Sequence, residues 1–285
     1  MSKGEIQIIK ASGERERFDP EKLKESLKRA GAGDEVCDSI VQHILDELQD
    51  GMSTTHIYRH AFSILRKVVE RPVAARYSMR RAVFGLGPTG FPFEEYVAEI
   101  YRKLGYNVET ERMVDGKCAV HEVDMLAENG EEYIGAELKF HNSPGIKTDL
   151  KTALYVRERF DDIQNSGQEK GKAPFVGVGM LITNTKFTRN AIDYSKCAGL
   201  KLLGWNYPRE NNLEDLIRKT GIYPITTLTS LTHREKLALL ERDIVLCNGL
   251  TEHSQILEEI GVSAAKIGTV MEESQALCTS SDNIK

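Results

Sequence analysis

Asp124, Glu137 and Lys139 stand in the stretch HEVDMLAENGEEYIGAELKF, residues 121–140. Two runs of alternating apolar residues flank Asn129-Gly130, the dipeptide that favours a two-residue type I′ hairpin turn. With that turn, 128 pairs with 131 and Asp124 lies opposite Gly135. Strand side chains alternate with period two, so Gly135, Glu137 and Lys139 share the face of Asp124. Glu137 is then its diagonal neighbour, at about 7–8 Å. The other face carries Val123, Met125, Ala127, Ile134, Ala136, Leu138 and Phe140 and reads as core, while Gly135 leaves room beside the polar one. Two convergent carboxylates suit a hard divalent cation such as Mg²⁺, which takes oxygen ligands. Such an ion polarises a phosphodiester and acidifies a bound water; a nearby lysine can orient that water or offset charge on the phosphate. On spacing alone, the alternative is a solvated sheet face with an ordinary Asp–Lys or Glu–Lys pair.

The elements that must position these residues are legible around them. FEEYVAEIYRKLGY is an amphipathic helix with Phe93, Tyr96, Val97, Ile100, Tyr101 and Leu104 on one stripe, ended by Gly105. Strands are expected at about 107–113, 119–127 and 132–140, and a helix over about 147–163. The buried-type strand PFVGVGMLIT, a helix over about 188–198 and the strand LKLLGW complete an αβββαβαβ order, a mixed α/β domain. Upstream, EIQIIK and RERF read as short strands. Asp19-Pro20 opens a helix, and two more helical patterns follow before the Gly/Pro-rich LGPTGFP, residues 86–92. Beyond about 212 the pattern is short helices. The predicted division is therefore 1–90, 91–209 and 210–278, with a disordered tail at 279–285.

The net charge of −5 does not favour nucleic acid globally, but its distribution is uneven. Residues 139–201 hold 11 Lys+Arg against 6 Asp+Glu, which makes this segment the candidate DNA surface. A solvated basic face is the plainer reading. The five cysteines lie far apart without a C-x-x-C pair, which argues against a zinc ribbon and a disulfide framework and fits a reducing cytoplasm. No apolar run reaches the ~18 residues of a membrane helix, and the N-terminus shows no secretory h-region.

The middle segment, about 91–206, resembles the PD-(D/E)XK nuclease superfamily, and within it the Mrr-like restriction endonuclease domain. The resemblance rests on FEEYVAEIYRKLGYNVET, HEVDMLAENG, AELKF and TNTKFT (183–188) in that order. It implies a restriction-endonuclease-like fold with an αβββαβ core. Asp124 and Glu137 would be the metal ligands, Lys139 the catalytic lysine and Glu94 the helix glutamate that completes the site, with Mg²⁺ or Mn²⁺ as cofactor and DNA as substrate; beside Phe93 at the rim of the apolar stripe, Glu94 has water as its alternative. Glu122-Val123-Asp124 departs from the family's usual Gly-Ile-Asp, which puts loop geometry and substrate choice in doubt. His121 is out of phase with Asp124 and reads as a core or edge residue. Lys147, Lys151, Arg157 and Arg159 on the following helix are candidate phosphate contacts, with solvated surface as the alternative.

Residues 5–90 resemble the ATP-cone, a small α+β regulatory domain of short strands and a helical bundle, through IIKASGERERFDPEKLKESLKRAG, MSTTHIYRHAFSIL and AARYSMRRAV. The resemblance implies ATP or dATP as regulatory ligand, held by Lys10, Glu16, Asp19, Lys22 and Thr54. Ala11 is a departure: a basic residue is frequent there, so one phosphate contact is missing. At the C-terminus, ILEEIGVSAAKIGTVMEE has the look of a helix-hairpin-helix, but the −5 charge of 210–285 (7 basic, 12 acidic) favours protein packing over DNA. The expectation is a nucleotide-regulated, metal-dependent DNA endonuclease, cytoplasmic, without membrane contact and homo-oligomeric. The rival is a non-catalytic DNA- or protein-binding module that keeps the nuclease fold.

Overall fold

The structure, a computed structural model, describes residues 6–170, 176–252 and 254–279. The predicted tail, Thr279 apart, lies outside the described residues.

The chain opens with a two-stranded antiparallel ribbon, β1 (Gln7–Ile9) and β2 (Arg15–Arg17). Helix α1 (Pro20–Arg29) starts where expected: Asp19 caps it by accepting from Glu21 N, and Pro20 fills the first turn. Helices α2 (Asp34–Glu47) and α3 (Thr54–Val68) follow, the latter capped by Ser53. These elements close around Leu27, Cys37, Ile40, Ala61 and Leu65, a core separate from the rest of the molecule. Next come α4 (Arg71–Tyr77) and α5 (Met79–Phe84).

Helix α6 (Phe91–Lys103) leads into β3 (Asn107–Asp115), β4 (Val120–Glu128) and β5 (Tyr133–Lys139). After a short strand β6 (Lys147–Thr148), α7 (Leu150–Lys170) crosses to β7 (Val178–Thr183). The short β8 (Lys186–Phe187), α8 (Arg189–Ala198) and β9 (Lys201–Leu203) complete the unit. The main sheet has the order β3-β4-β5-β7-β9, antiparallel through β5 and parallel beyond it; β6 and β8 form a separate parallel pair. The expected αβββαβαβ order is present, with the two short strands added. The basic helix begins at Leu150, so Lys147 lies on β6 instead.

Both faces of the sheet are covered. Phe93, Tyr96, Val97 and Ile100 of α6 pack on Met125, Ala127, Ile134, Ala136 and Leu138. Val156, Phe160 and Ile163 of α7 pack on the opposite side.

The remaining helices are α9 (Leu213–Thr220), α10 (His233–Leu240), α11 (Gly249–Glu252), α12 (Gln255–Glu259) and α13 (Ala264–Thr279). The predicted hairpin between the last two exists, with Gly261 at φ +85°. Leu257, Val262, Val270 and Leu277 nonetheless bury into the α6 side of the sheet core, so the region is packed protein. Buried Glu273 fixes it by accepting from Thr229 N at 2.7 Å and Ser230 N at 2.8 Å.

The 86–92 segment is a packed strap. A Cβ at Gly87 would meet Asn142 Oδ1 at 2.4 Å and Phe140 Cε1 at 2.9 Å, and Asn142 Nδ2 donates to Pro88 O at 3.0 Å. Ala75, Met79, Val83 and Leu86 join the sheet core, so a cut at residue 90 runs through shared packing.

Candidate active site

The β4–β5 hairpin brings Asp124, Glu137 and Lys139 together, in a different register from the one the turn dipeptide suggests. Glu128 pairs with Tyr133 and Met125 with Ala136. Asn129 Oδ1 accepts from the N–H groups of Glu131 and Glu132 at 3.0 and 3.1 Å, which builds a longer, side-chain-closed loop with Gly130 at φ +86°. The shift is by two residues, so faces are preserved, and it moves Glu137 from the diagonal of Asp124 to the position across from it.

Regular pairing of the two strands stops at Met125–Ala136. Beyond that point Asp124 Oδ2 accepts from Leu138 N at 2.7 Å, so the carboxylate takes over where the ladder ends. On the other side of β4, pairing with β3 skips Glu111, which sits at φ +52° between Thr110↔Met125 and Arg112↔Val123. A non-glycine residue in this left-handed region is strained, by about 1–3 kcal/mol. The kink coincides with a change of side: Val123 packs with Val156 and Phe160, not with Met125 as strict alternation predicts.

Gly135 also departs from its expected role. A Cβ there would meet Phe160 Cε1 at 2.5 Å and Val176 Cγ1 at 2.9 Å. Its ladder partner Gly179 faces the same ring: a Cβ there would meet Phe160 Cδ2 at 2.8 Å. The two glycines seat a core phenylalanine; the room they leave is not ligand space.

Glu94, in the first turn of α6, joins the group. Burial and then the charges of Asp124, Glu111, Glu137 and Glu122 push its pKa up to about 7. Glu137 is likewise pushed up to about 7, by burial and then Asp124, against the opposing pull of Arg159 and Lys139. Burial raises Asp124 as well, countered by the Leu138 N–H and Arg159. Carboxylates from α6, β4 and β5 thus lie near enough to raise one another in one partly buried region, though the oxygens of Glu94, Asp124 and Glu137 do not all come within 4.8 Å of one another. The nearby cations are Lys139, exposed at the end of β5, and Arg159.

Arg159 is a candidate DNA contact on sequence. In the fold it projects from α7 onto the site, ion-pairs with Glu137, donates to Glu122 O at 3.0 Å and to Tyr155 Oη at 2.6 Å, and lies 4.8 Å from the Tyr155 ring centre. The signal in the sequence is its place at i+3 from Val156 and beside Phe160, on the rim of the buried stripe. Of the other phosphate candidates, Lys147 and Lys151 are exposed, and Arg157 pairs with Asp161 at 2.5 Å. His121 bonds Asp162 of α7 at 2.7 Å, an edge role that holds Asp162 down at about 2.

The TNTKFT segment is the clamp behind Lys139. Thr183 Oγ1 donates to Lys139 O at 2.7 Å, and Asn184 brackets His141 through its N–H at 2.8 Å and its carbonyl at 2.9 Å. Thr183, Asn184 and Thr185 are fully buried.

The nucleotide candidates gather on the ribbon. Lys10 lies 2.7 Å from Glu16, and Lys22 lies 4.0 Å from Glu16 and 3.9 Å from Asp19. Thr54 opens α3 beside the bridge between Ile9 and Ser53.

Comparison with known proteins locates two regions. The ATP cone domain family matches residues 6–83, and a family described as AF1548-like, C-terminal, matches 223–278. The ATP-cone reading of the N-terminal block thus holds; the crowded carboxylates lie between the two matched regions. An uncharacterized protein of Archaeoglobus fulgidus is 36% identical over 182 residues, which span 63% of this chain and 98% of the relative. A crystal structure described as that of a protein of unknown function, AF1548, superposes with a TM-score of 0.53 at 32% identity, over 67% of this chain and 100% of that one. Among the described residues no helix is long and apolar enough to cross a membrane.

Proposed function

For this chain, which belongs to the family of the uncharacterized Archaeoglobus protein and carries an ATP-cone, we propose a nucleotide-regulated, divalent-metal-dependent nuclease acting on DNA. The observation that carries this reading is the convergence of Glu94, Asp124 and Glu137 beside Lys139, with two of the carboxyls raised to about 7. Such an oxygen-rich donor set fits Mg²⁺ or Mn²⁺, and not a thiolate- or imidazole-seeking metal.

Asp124 and Glu137 would hold the ion, which supplies Lewis-acid polarisation of the phosphodiester and a nucleophilic water. Asp124 is held in place by the Leu138 N–H. Lys139 has its backbone held by Thr183 and its side chain exposed at the site's mouth, where it can meet a scissile phosphate. Glu94, on the first turn of α6, would add a third carboxylate near the ion.

A second reading has its own support. Arg159 pairs with Glu137 and so neutralises one ligand without any metal, as a DNA- or protein-binding module would require. A cleavage assay separates the two, using supercoiled, linear and methylated DNA with Mg²⁺ or Mn²⁺, with and without ATP or dATP. Metal-dependent cleavage lost in both Asp124→Ala and Lys139→Ala is the expected result. DNA binding without cleavage moves the module reading to first place.

A further inference from the structure

The cations of the ATP-cone are not alone on their face. Gly145 packs against the β1–β2 turn: a Cβ there would lie 2.6 Å from Ala11 O and 3.2 Å from Ser12 Cα. That docking brings β6 and β8 of the sheet unit to the ribbon. In their parallel register Lys147 stands directly across from Lys186, an arrangement that repels in the absence of an anion. Lys186 is exposed, and burial of its stem followed by the charges of Arg80, Lys10 and Lys147 lowers its pKa, with Glu16 opposing. Arg80 adds a buried Nε that has no hydrogen-bond partner. Glu16 is already shared between Lys10 and Lys22. Positive charge from two parts of the chain thus meets at one junction in excess of the carboxylates there.

We propose that the nucleotide of the ATP-cone sits at this junction, with Lys186 and Lys147 of the sheet unit completing the polyphosphate cradle that Lys10 and Lys22 begin. The ligand class is a nucleoside di- or triphosphate, whose clustered negative charge matches convergent ammonium groups. The position also accounts for Ala11. A basic side chain is frequent at that place in ATP-cones; here the Gly145 loop lies against the Ala11 backbone, and Lys186 supplies the missing cation from across the junction. This rests on the ATP-cone's nucleotide binding.

The junction is mechanically close to the carboxylate site. Lys186 directly follows Thr183-Asn184-Thr185, which clamps Lys139 and His141. Lys147 precedes Thr148, whose Oγ1 lies 2.9 Å from His141 Nε2. A polyphosphate that fixes the two lysines therefore fixes the strands that hold the end of β5.

The test is titration calorimetry of the full chain with ATP, AMP and adenosine, on wild type, Lys186→Ala, Lys186→Arg and Lys10→Ala. Lys186→Ala is expected to weaken ATP about tenfold, the loss of one charge-assisted contact, and to leave adenosine unchanged. Lys186→Arg should recover most of the affinity. The nucleotide-free melting temperature of Lys186→Ala should equal or exceed that of wild type, since the repulsion from Arg80, Lys10 and Lys147 outweighs the attraction of Glu16, which excludes misfolding as the cause. Hydrogen exchange should show ATP protecting 139–148 and 183–188 in wild type and failing to do so in Lys186→Ala. If Lys10→Ala weakens ATP while Lys186→Ala binds like wild type, the junction is refuted and the ATP-cone reading stands. If wild type binds no nucleotide, both fall. Equal weakening of ATP and adenosine by Lys186→Ala also overturns the proposal.

Discussion

Glu94 offers the sharpest handle on the carboxylate cluster, because every influence on its pKa acts in the same direction: burial, Asp124, Glu111, Glu137 and Glu122 all raise it. Its folded pKa of about 7 lies above the ordinary 4.5. The folded state therefore binds the proton more tightly than the unfolded state. The associated stability is fully present below 4.5 and is lost as pH rises through about 7. At about 1.4 kcal/mol for each pH unit separating the two values, the full difference would be on the order of 3 kcal/mol. Solvent reaches part of the carboxyl and screens it, so ionised Glu94 costs the metal-free protein about 2 kcal/mol at pH 8. Glu94→Gln keeps the shape and removes the charge. The variant should match wild type near pH 4.5 and gain steadily to pH 7. By pH 8 in EDTA it should melt about 4 °C or more above wild type. Trp205, the single tryptophan, is buried in the same core as α6 and reports the transition by fluorescence. Divalent cation should narrow the gap at pH 8, since it neutralises the same charge in wild type. A difference in melting temperature that does not change with pH, or a variant less stable at pH 8, would refute the crowding of carboxylates around Glu94.

Other perturbations test the supporting structure. Arg159→Ala leaves Glu137 without its ion pair and should cost about 3 kcal/mol in metal-free protein; Mn²⁺ should restore more melting temperature in this variant than in wild type. Gly135→Ala forces a methyl against Phe160 and Val176 and should destabilise by about 1–3 kcal/mol, whereas Gly135→Ala combined with Phe160→Leu should recover part of the loss in urea denaturation. Thr183→Val removes the donor to Lys139 O and should cost about 1–2 kcal/mol. It should also lower any cleavage rate while Mn²⁺ affinity, read by calorimetry, stays at the wild-type value.

The parts of this architecture that can be read from sequence are those written in local patterns. The stripe from Phe93 to Leu104, the cap at Asp19-Pro20 and the alternation on either side of Asn129-Gly130 each depend on neighbours within a few residues. They reappear as α6, α1 and the β4–β5 hairpin. The difference in hairpin register leaves the site intact because the slip is even. An odd slip would have sent Asp124 and Glu137 to opposite faces. What is not legible depends on contacts distant in sequence. Nothing near Gly135 announces that Phe160 will fill the space beside it. The alternation rule cannot foresee the kink at Glu111 that turns Val123 toward α7. Arg159 stands on the rim of a buried stripe, but nothing local pairs it with Glu137 until α7 lies across β5.

Contacts distant in sequence also join the ATP-cone to the sheet unit. The strap at 86–92 reads as a linker by composition, because glycine and proline serve loose connections and tight ones alike. Its packing on Phe140 and Asn142 makes it a rigid bridge from the ATP-cone to the segment just after Lys139. Two routes then converge on residues 139–142: the strap on one side, and the β6–β8 pair with its lysines on the other. Leu86 and Val83, from the N-terminal block, are buried in the same core as Leu138. A shift of the ATP-cone relative to the sheet would have to be absorbed by fully packed side chains, and packed cores favour discrete alternatives over gradual deformation. On the function proposed above, nucleotide control is therefore expected to act on the position of β5, where Glu137 and Lys139 sit, and not through a flexible hinge between independent domains.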